Sequence, residues 1–250
     1  MNKTVALTLC TLILGGAVVG AAFTMSRFML KIQQTSEKSI TVKGVAEENI
    51  VSDVGAFSCT IKCKAPTIAD GYRELNRLTG ILNSVMSAMQ ITQNEIEDIT
   101  INYSAEYKDV KLRDSTGKDY WERHFSHYNF SRSCRVRSQD VQKIANAAIK
   151  LYALTAQNIV ISVSSPEYFI SNPEQYKLKL IDLATSSAYA RAKTVATNSN
   201  AELGPLLNAR QGVIQITRPA SSDSSDGGTY DTSSINKVMR MVVTLEYTLK

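Results

Sequence analysis

Residues 40–250 alternate between two spacings of apolar positions, and each spacing predicts an element. Ile40, Val42 and Gly44 share one side of a short strand. Phe57, Cys59, Ile61 and Cys63 share one side of the next, with Ser58, Thr60 and Lys62 opposite, the period-2 pattern of a half-buried strand. After Pro66, Thr67 and Asp70 form a capping pair, and Leu75, Leu78, Leu82, Val85 and Met89 recur at helical spacing up to about Gln90. Ile99, Ile101, Tyr103, Ala105 and Tyr107 alternate with polar residues along a long strand. A turn at Arg113–Lys118 returns it along Tyr120–Arg137. The return strand changes phase: Trp121 and Phe125 are odd, whereas Tyr128, Phe130, Cys134 and Val136 are even. One extra residue near Ser126, a β-bulge, accounts for the slip.

A second helix starts at Ser138, with Val141, Ile144, Ala148 and Leu151 as its stripe, and Ile159, Ile161 and Val163 form a strand. Asn172-Pro173 opens a third helix, running to about Thr197 and rich in alanine at 184, 188, 190, 192 and 196. Val213, Ile214 and Ile216 make a penultimate strand. Residues 217–234, dominated by Ser, Asp and Gly, make a polar loop expected to be mobile. The last strand places Ile235, Met239, Met241, Val243, Leu245, Tyr247 and Leu249 on one side. The predicted order is ββαββαβαββ, an α+β chain, and its central βαββαβ portion has split βαβ, ferredoxin-like connectivity. The simplest two-layer solution is one antiparallel-dominated sheet with three helices on one face.

The N-terminal segment has a different character. Thr4–Ser26 is 23 residues without a charge, long enough for a transmembrane helix. Residues 1–31 therefore read as a signal anchor, or as a signal peptide cut near Gly20-Ala21-Ala22, followed by a polar linker at 32–39. Gly16 and Gly20 form a small-xxx-small pair for packing against a second membrane helix. Cys10 lacks a small residue just before it and does not suit a lipid acceptor. Lys3 precedes the span while Arg27 and Lys31 follow it, so charge alone does not orient it. Large domains translocate largely regardless of charge, which favours an extracytoplasmic body.

Charge narrows the partners. Three of the 28 Lys and Arg lie in the first 31 residues and none of the 23 Asp and Glu does, so the remaining 219 residues carry a net +2. Nucleic-acid affinity rests on many phosphate contacts, and a near-neutral body does not supply them. Arg132, Arg135 and Arg137 form the one dense basic cluster, suited to an acidic partner or lipid head groups, or to a solvated strand end.

Little else points to bond-making chemistry. His124 and His127, the only histidines, lie three apart, on opposite faces of a regular strand; joint metal ligation needs the bulge. Asp53 is either at the open end of its strand or a buried carboxylate accepting backbone amides. Cys59 and Cys63 are about 13 Å apart along one strand and cannot bridge each other. Cys134 can pair with either in an oxidising compartment, or all three stay free. No nucleophile elbow, phosphate loop or dinucleotide fingerprint is present, so no catalytic residue, metal or cofactor is assigned.

Ile40-Thr-Val-Lys-Gly44-Val-Ala46, with Asp53 following, resembles the opening of SIMPL-domain proteins. The helix Ala190-Arg191-Ala192-Lys193 and the downstream Leu203-Gly204-Pro205-Leu206 resemble the family's alanine-rich helix and its following Leu-Gly. The chain departs from the pattern in having Ser52-Asp53 for the usual Pro-Asp and Asn198-Ser199-Asn200 for a frequent glycine. The resemblance covers 40–250. It implies an α+β domain of the bacterial cell envelope, often oligomeric, associated with envelope or oxidative stress tolerance, and transfers no active site. The expectation is a non-enzymatic homo-oligomer, anchored in the inner membrane with its body in the periplasm. Sheet edges and the hairpin at 99–137 are its contact surfaces. The competing expectation is a periplasmic ligand-binding or chaperone-like module with a concave apolar site beneath 217–234.

Overall fold

The computed structural model describes Gly20, Met25, Ser26 and residues 38–250. The expected membrane segment and Gly16 thus lie outside the described residues, except that Gly20, Met25 and Ser26 are helical and exposed. Among the described residues no helix is long and apolar enough to cross a membrane.

The strands are β1 (Ser39–Val51), β2 (Val54–Ala65), β3 (Ile96–Arg113), β4 (Asp119–Ser138), β5 (Val160–Val163), β6 (Glu167–Phe169), β7 (Leu203–Gln211), β8 (Gln215–Thr217), β9 (Thr229–Tyr230) and β10 (Asn236–Leu249). The helices are α1 (Ile68–Ala88), α2 (Val141–Tyr152) and α3 (Pro173–Asn198). The α+β class and the three helices match expectation; the order ββαββαβαββ does not, because β6, β7 and β9 are added. All three are short or mostly exposed, so they lack the apolar run that marks a strand. The single sheet is also corrected. There are two five-stranded sheets, one ordered β1-β10-β8-β9 with β7 also on β10, the other ordered β3-β4-β2-β5 with β6 also on β2. β10 runs antiparallel to β7 and β8, β2 to β4, β5 and β6, and β3 to β4, whereas β8 and β9 are parallel.

The chain divides into two compact units. The larger comprises Glu47–Leu180 and Val213–Met241. Its β3-β4-β2-β5 sheet is the interleaved order expected of the split βαβ unit: β4 fills the gap between β2 and β3, and β2 the gap between β4 and β5. Phe57, Cys59 and Ile61 of β2 and Cys134 and Val136 of β4 face a core with Leu75, Leu78, Leu82 and Met86 of α1 and Ile144, Ala147, Ala148 and Leu151 of α2. The capping expectation for α1 holds, since the Thr67 side chain accepts from the Asp70 amide. For α2 the cap is Asp140, which accepts from the Lys143 amide at 2.9 Å, while Ser138 instead accepts from Asp140 N. Gly71 is required where α1 crosses β4, because a Cβ there would come within 1.9 Å of the Phe130 ring.

Residues 217–234 are more structured than their composition suggests. They hold β9; Tyr168 N donates to Thr232 O, and Ile170 N donates to the Tyr230 hydroxyl. Asp231 accepts from the hydroxyls of Ser233 and Ser234, and the buried Lys237 donates to the carbonyls of Asp231 and Ser234. A lysine head group out of water is tolerable because these carbonyls and the nearby carboxylate replace its solvent.

Of the residues from 38 onward, the smaller unit takes 38–46, Ile181–Gly212 and Val242–Lys250. Its core is a close approach of β1 to α3. A Cβ on Gly44 would sit 2.0 Å from the Ala184 carbonyl oxygen and 2.8 Å from the Ala188 Cβ. Ala184, Ala188, Ala192 and Ala196, spaced by four along one helix ridge, are all buried. Arg191 Nη1 donates to Lys43 O at 2.9 Å on the same seam.

Two glycine substitutions should therefore have opposite signs. Gly44→Val is expected to cost about 3 kcal/mol or more, since backbone must move to admit it. Gly80→Ala, in α1 with nothing within 4 Å of the new methyl, should stabilise by about 0.5–1 kcal/mol. Denaturant titration measures both; an unchanged midpoint for Gly44→Val would refute the close seam.

Candidate functional site

The β3–β4 hairpin is the outstanding feature of the larger unit. Its strands are 18 and 20 residues long, and nearly all of 97–125 is exposed. The turn is held by Asp114, whose carboxylate accepts from the Thr116 hydroxyl and from the amides of Thr116 and Lys118; these hydrogen bonds, the hydroxyl's first, hold it below the usual carboxylate range. Arg113 and Lys111 both pair with Asp119.

The predicted bulge is present. Glu106 pairs with His127 but Tyr107 pairs with Phe125, which leaves Ser126 as the extra residue. Its consequence is a continuous aromatic row. Before the bulge, Phe130 and Tyr128 face the same way as Tyr103 of β3; after it, Phe125 joins them instead of turning to the other face. Phe125 and Tyr128 have ring centroids 4.9 Å apart, Phe125 and Tyr107 5.9 Å, and Tyr103 and Phe130 5.6 Å. Tyr72 of α1 continues the row at 5.5 Å from Phe130. Arg123 lies over the Tyr107 ring at 5.1 Å, and Trp121, 68% exposed, is next along β4. Packing without the bulge would break this row after Tyr128.

The opposite face of the same sheet is polar. Thr60 and Ser133 hydroxyls meet at 2.9 Å, Asn129 donates to Glu106, and Arg135 pairs with Glu167 at 3.3 Å. Lys62, Lys64, Asn102, Ser104, Asn129 and Ser131 line an open cleft of about 510 Å³ there. The bulge brings His124 and His127 to this face together, yet each has its own partner: Glu122 for His124, Ser126 and Asn129 for His127. Among the described residues no group of three or more His, Cys, Asp or Glu is placed to hold a metal ion.

The basic cluster is divided by the sheet. Arg132 pairs with Ile61 and lies on the face of Cys59 and Cys134, whereas Arg135 and Arg137 lie on the polar face. Strand alternation separates residues that are close in sequence when their spacing is odd. Arg137 borders a second cleft of about 590 Å³ with Thr92, Glu95, Glu97 and Lys143. Asp53 is exposed at the link between β1 and β2, where it accepts from the amide and hydroxyl of Ser171 just before α3. Its role is the amide acceptor, at the strand end.

Glu95 and Lys143 were not singled out by the sequence. They pair at 2.6 Å, each side chain less than a fifth exposed, and Glu95 also accepts from Thr92 N. Burial opposes ionisation of Glu95, but hydrogen bonds from Lys143, Ser138 and Thr92 outweigh it and hold the carboxyl down at about 2. A lysine 48 residues away offers no local pattern to betray such a pair.

With the architecture and the hairpin in place, the family comparison is decisive: the SIMPL model, described as "Protein of unknown function (DUF541)", matches residues 40–247. The chain belongs to the SIMPL family. No curated protein matches it. The resemblance noted at Gly44 and the alanine-rich helix now has a physical content. In this SIMPL chain the two stretches are the two sides of one seam, and Gly204 of β7 abuts Thr248 of β10.

The depressed Glu95 carboxyl makes a pH prediction. Its folded pKa lies below the unfolded value of 4.5, so its stabilisation is complete above about pH 5 and is lost as pH falls towards 2. Acid titration of stability should show up to about 3 kcal/mol of loss across that window. Glu95→Gln should flatten it; an identical acid profile in the variant would remove Glu95 as the cause.

Proposed function

We propose that this SIMPL protein is a non-enzymatic cell-envelope protein, anchored by its N-terminal apolar segment, that self-assembles into a homo-oligomer through the β3–β4 arm. The observation that supports this reading is the form of β3. It is the edge strand of its sheet, 18 residues long, and its stretch Ile99–Ala105 contains no charge. Exposed uncharged edges are templates for another strand, and proteins that avoid pairing blunt them with charges. In β3 the charges flank that stretch, at Glu97 and Asp98 on one side and from Glu106 to Arg113 on the other.

The aromatic row strengthens the case. Ile101, Tyr103, Tyr107, Trp121 and Phe125 are each at least 40% exposed beside that edge. Aromatic side chains combine large apolar area with few rotamers, which suits them to interface centres. A second copy presenting the same edge and row satisfies both at once, as closed symmetric assemblies require. The ligand-binding alternative needs an apolar concavity beneath 217–234; the clefts lined by Lys62 to Val160 and by Val54 to Ser171 take no wall from that segment.

Light scattering on residues 32–250 tests the proposal. The protein is expected to be oligomeric at micromolar concentration. Ile101→Lys combined with Tyr107→Asp, both at exposed positions, should give a folded monomer with unchanged circular dichroism. A wild-type body that stays strictly monomeric at high concentration rejects assembly, and an unaffected double variant rejects this arm as its site.

A further inference from the structure

Cys59 of β2 and Cys134 of β4 are direct partners in the antiparallel register, buried at the centre of the larger core. Their sulfur atoms are 3.1 Å apart, and both are free thiols in the structure. We propose that these two residues are the halves of a cross-strand disulfide that ties β2 to β4 when the chain folds in contact with a disulfide oxidant. A disulfide spans Cα atoms about 4.4–6.8 Å apart, and directly opposed residues of antiparallel strands sit about 4.5–5.5 Å apart, so the backbone is already within range. The remaining movement is a sulfur approach from contact to bond.

The third described cysteine does not compete. Cys63 is opposite Phe130, not Cys134, and its thiol is directed at the Gly71 carbonyl, 3.8 Å away. The partner that the sequence left open is therefore fixed by register: a shift of four residues would be needed to bring Cys63 to Cys134.

The Arg132 guanidinium on the same face favours the thiolate of both residues. Whichever of the two ionises first is the attacking group. It displaces one thiolate from a small-molecule disulfide such as glutathione disulfide, forming a mixed disulfide. The other cysteine of the pair loses its proton and attacks the sulfur of its partner in that mixed disulfide, releasing the second thiolate. Two protein thiols are oxidised by two electrons, the oxidant is reduced to two thiols, and these take up the two protons. Because both sulfurs are buried, the exchange belongs to the interval in which β2 and β4 come together. The proposal is independent of the assembly proposed above.

Trypsin reads the connectivity directly. It cuts after Lys43, Lys62, Lys64, Arg132 and Arg135, which separates Cys59 (peptide 44–62) from Cys63 (63–64) and isolates Cys134 in 133–135. The full-length chain is refolded in detergent with excess glutathione disulfide, alkylated and digested without reduction. The expected dominant product is 44–62 linked to 133–135, retained in Cys63→Ser. Reduction should lower Tm by about 5–10 °C in the wild type and Cys63→Ser, and leave Cys134→Ser unmoved. Alkylated thiols at both 59 and 134, or Cys134 linked to Cys63, would overturn the proposal.

Discussion

The absence of a side chain at Gly44 permits the contact on which the smaller unit is built. With the Ala184 carbonyl 2.0 Å from where a Cβ would lie, no other residue fits without moving backbone. The helix answers with alanine at 184, 188, 192 and 196, so strand and helix meet nearly backbone to backbone. Dispersion falls steeply with distance, and close packing of small groups yields many contacts per unit of buried area. Alanine also loses no rotamer freedom, so the seam forms without that entropic cost. Gly44 and Ala192 are also among the residues that carry the SIMPL resemblance.

The larger unit depends on register in a different way. Its interleaved sheet buries one face under α1 and α2 and leaves the other polar, so each one-residue slip would exchange core for solvent. At Ser126 the chain makes such a slip deliberately. Up to that point β4 follows the faces of the core; beyond it no core exists, and the bulge keeps aromatic side chains on one side of an exposed arm. A sequence under selection only for stability has little reason to maintain a row of rings where nothing covers them. The same register sets Cys59 opposite Cys134.

Polar groups in the larger unit are paired locally where they can be, as at Asp114, and over long range where they must be. Lys143 reaches Glu95 and the Gln90 carbonyl, joining the start of α2 to the segment that follows α1. Lys237 fills its place beneath 231–234 with backbone carbonyls. In such contacts desolvation offsets part of the attraction, and the added hydrogen bonds decide the balance.

Sequence alone was enough to settle the elements whose side chains have a period: the α1 and α2 stripes, the alternation of β2 and β10, the Ser126 bulge and the split βαβ order. Each is a local consequence of 3.6- or 2-residue geometry. It also placed Gly44 and the alanine helix in one family pattern, without showing that they touch. Tertiary structure decided what depends on neighbours. It made two sheets from the strands expected in one, and it added β6, β7 and β9, whose exposed residues carry no apolar period because their pairing is satisfied by backbone hydrogen bonds. It split Arg132 from Arg135 and Arg137, gathered six rings from three elements into one row, and chose Cys59 for Cys134. These are facts of register and approach between segments distant along the chain, and no local spacing encodes them.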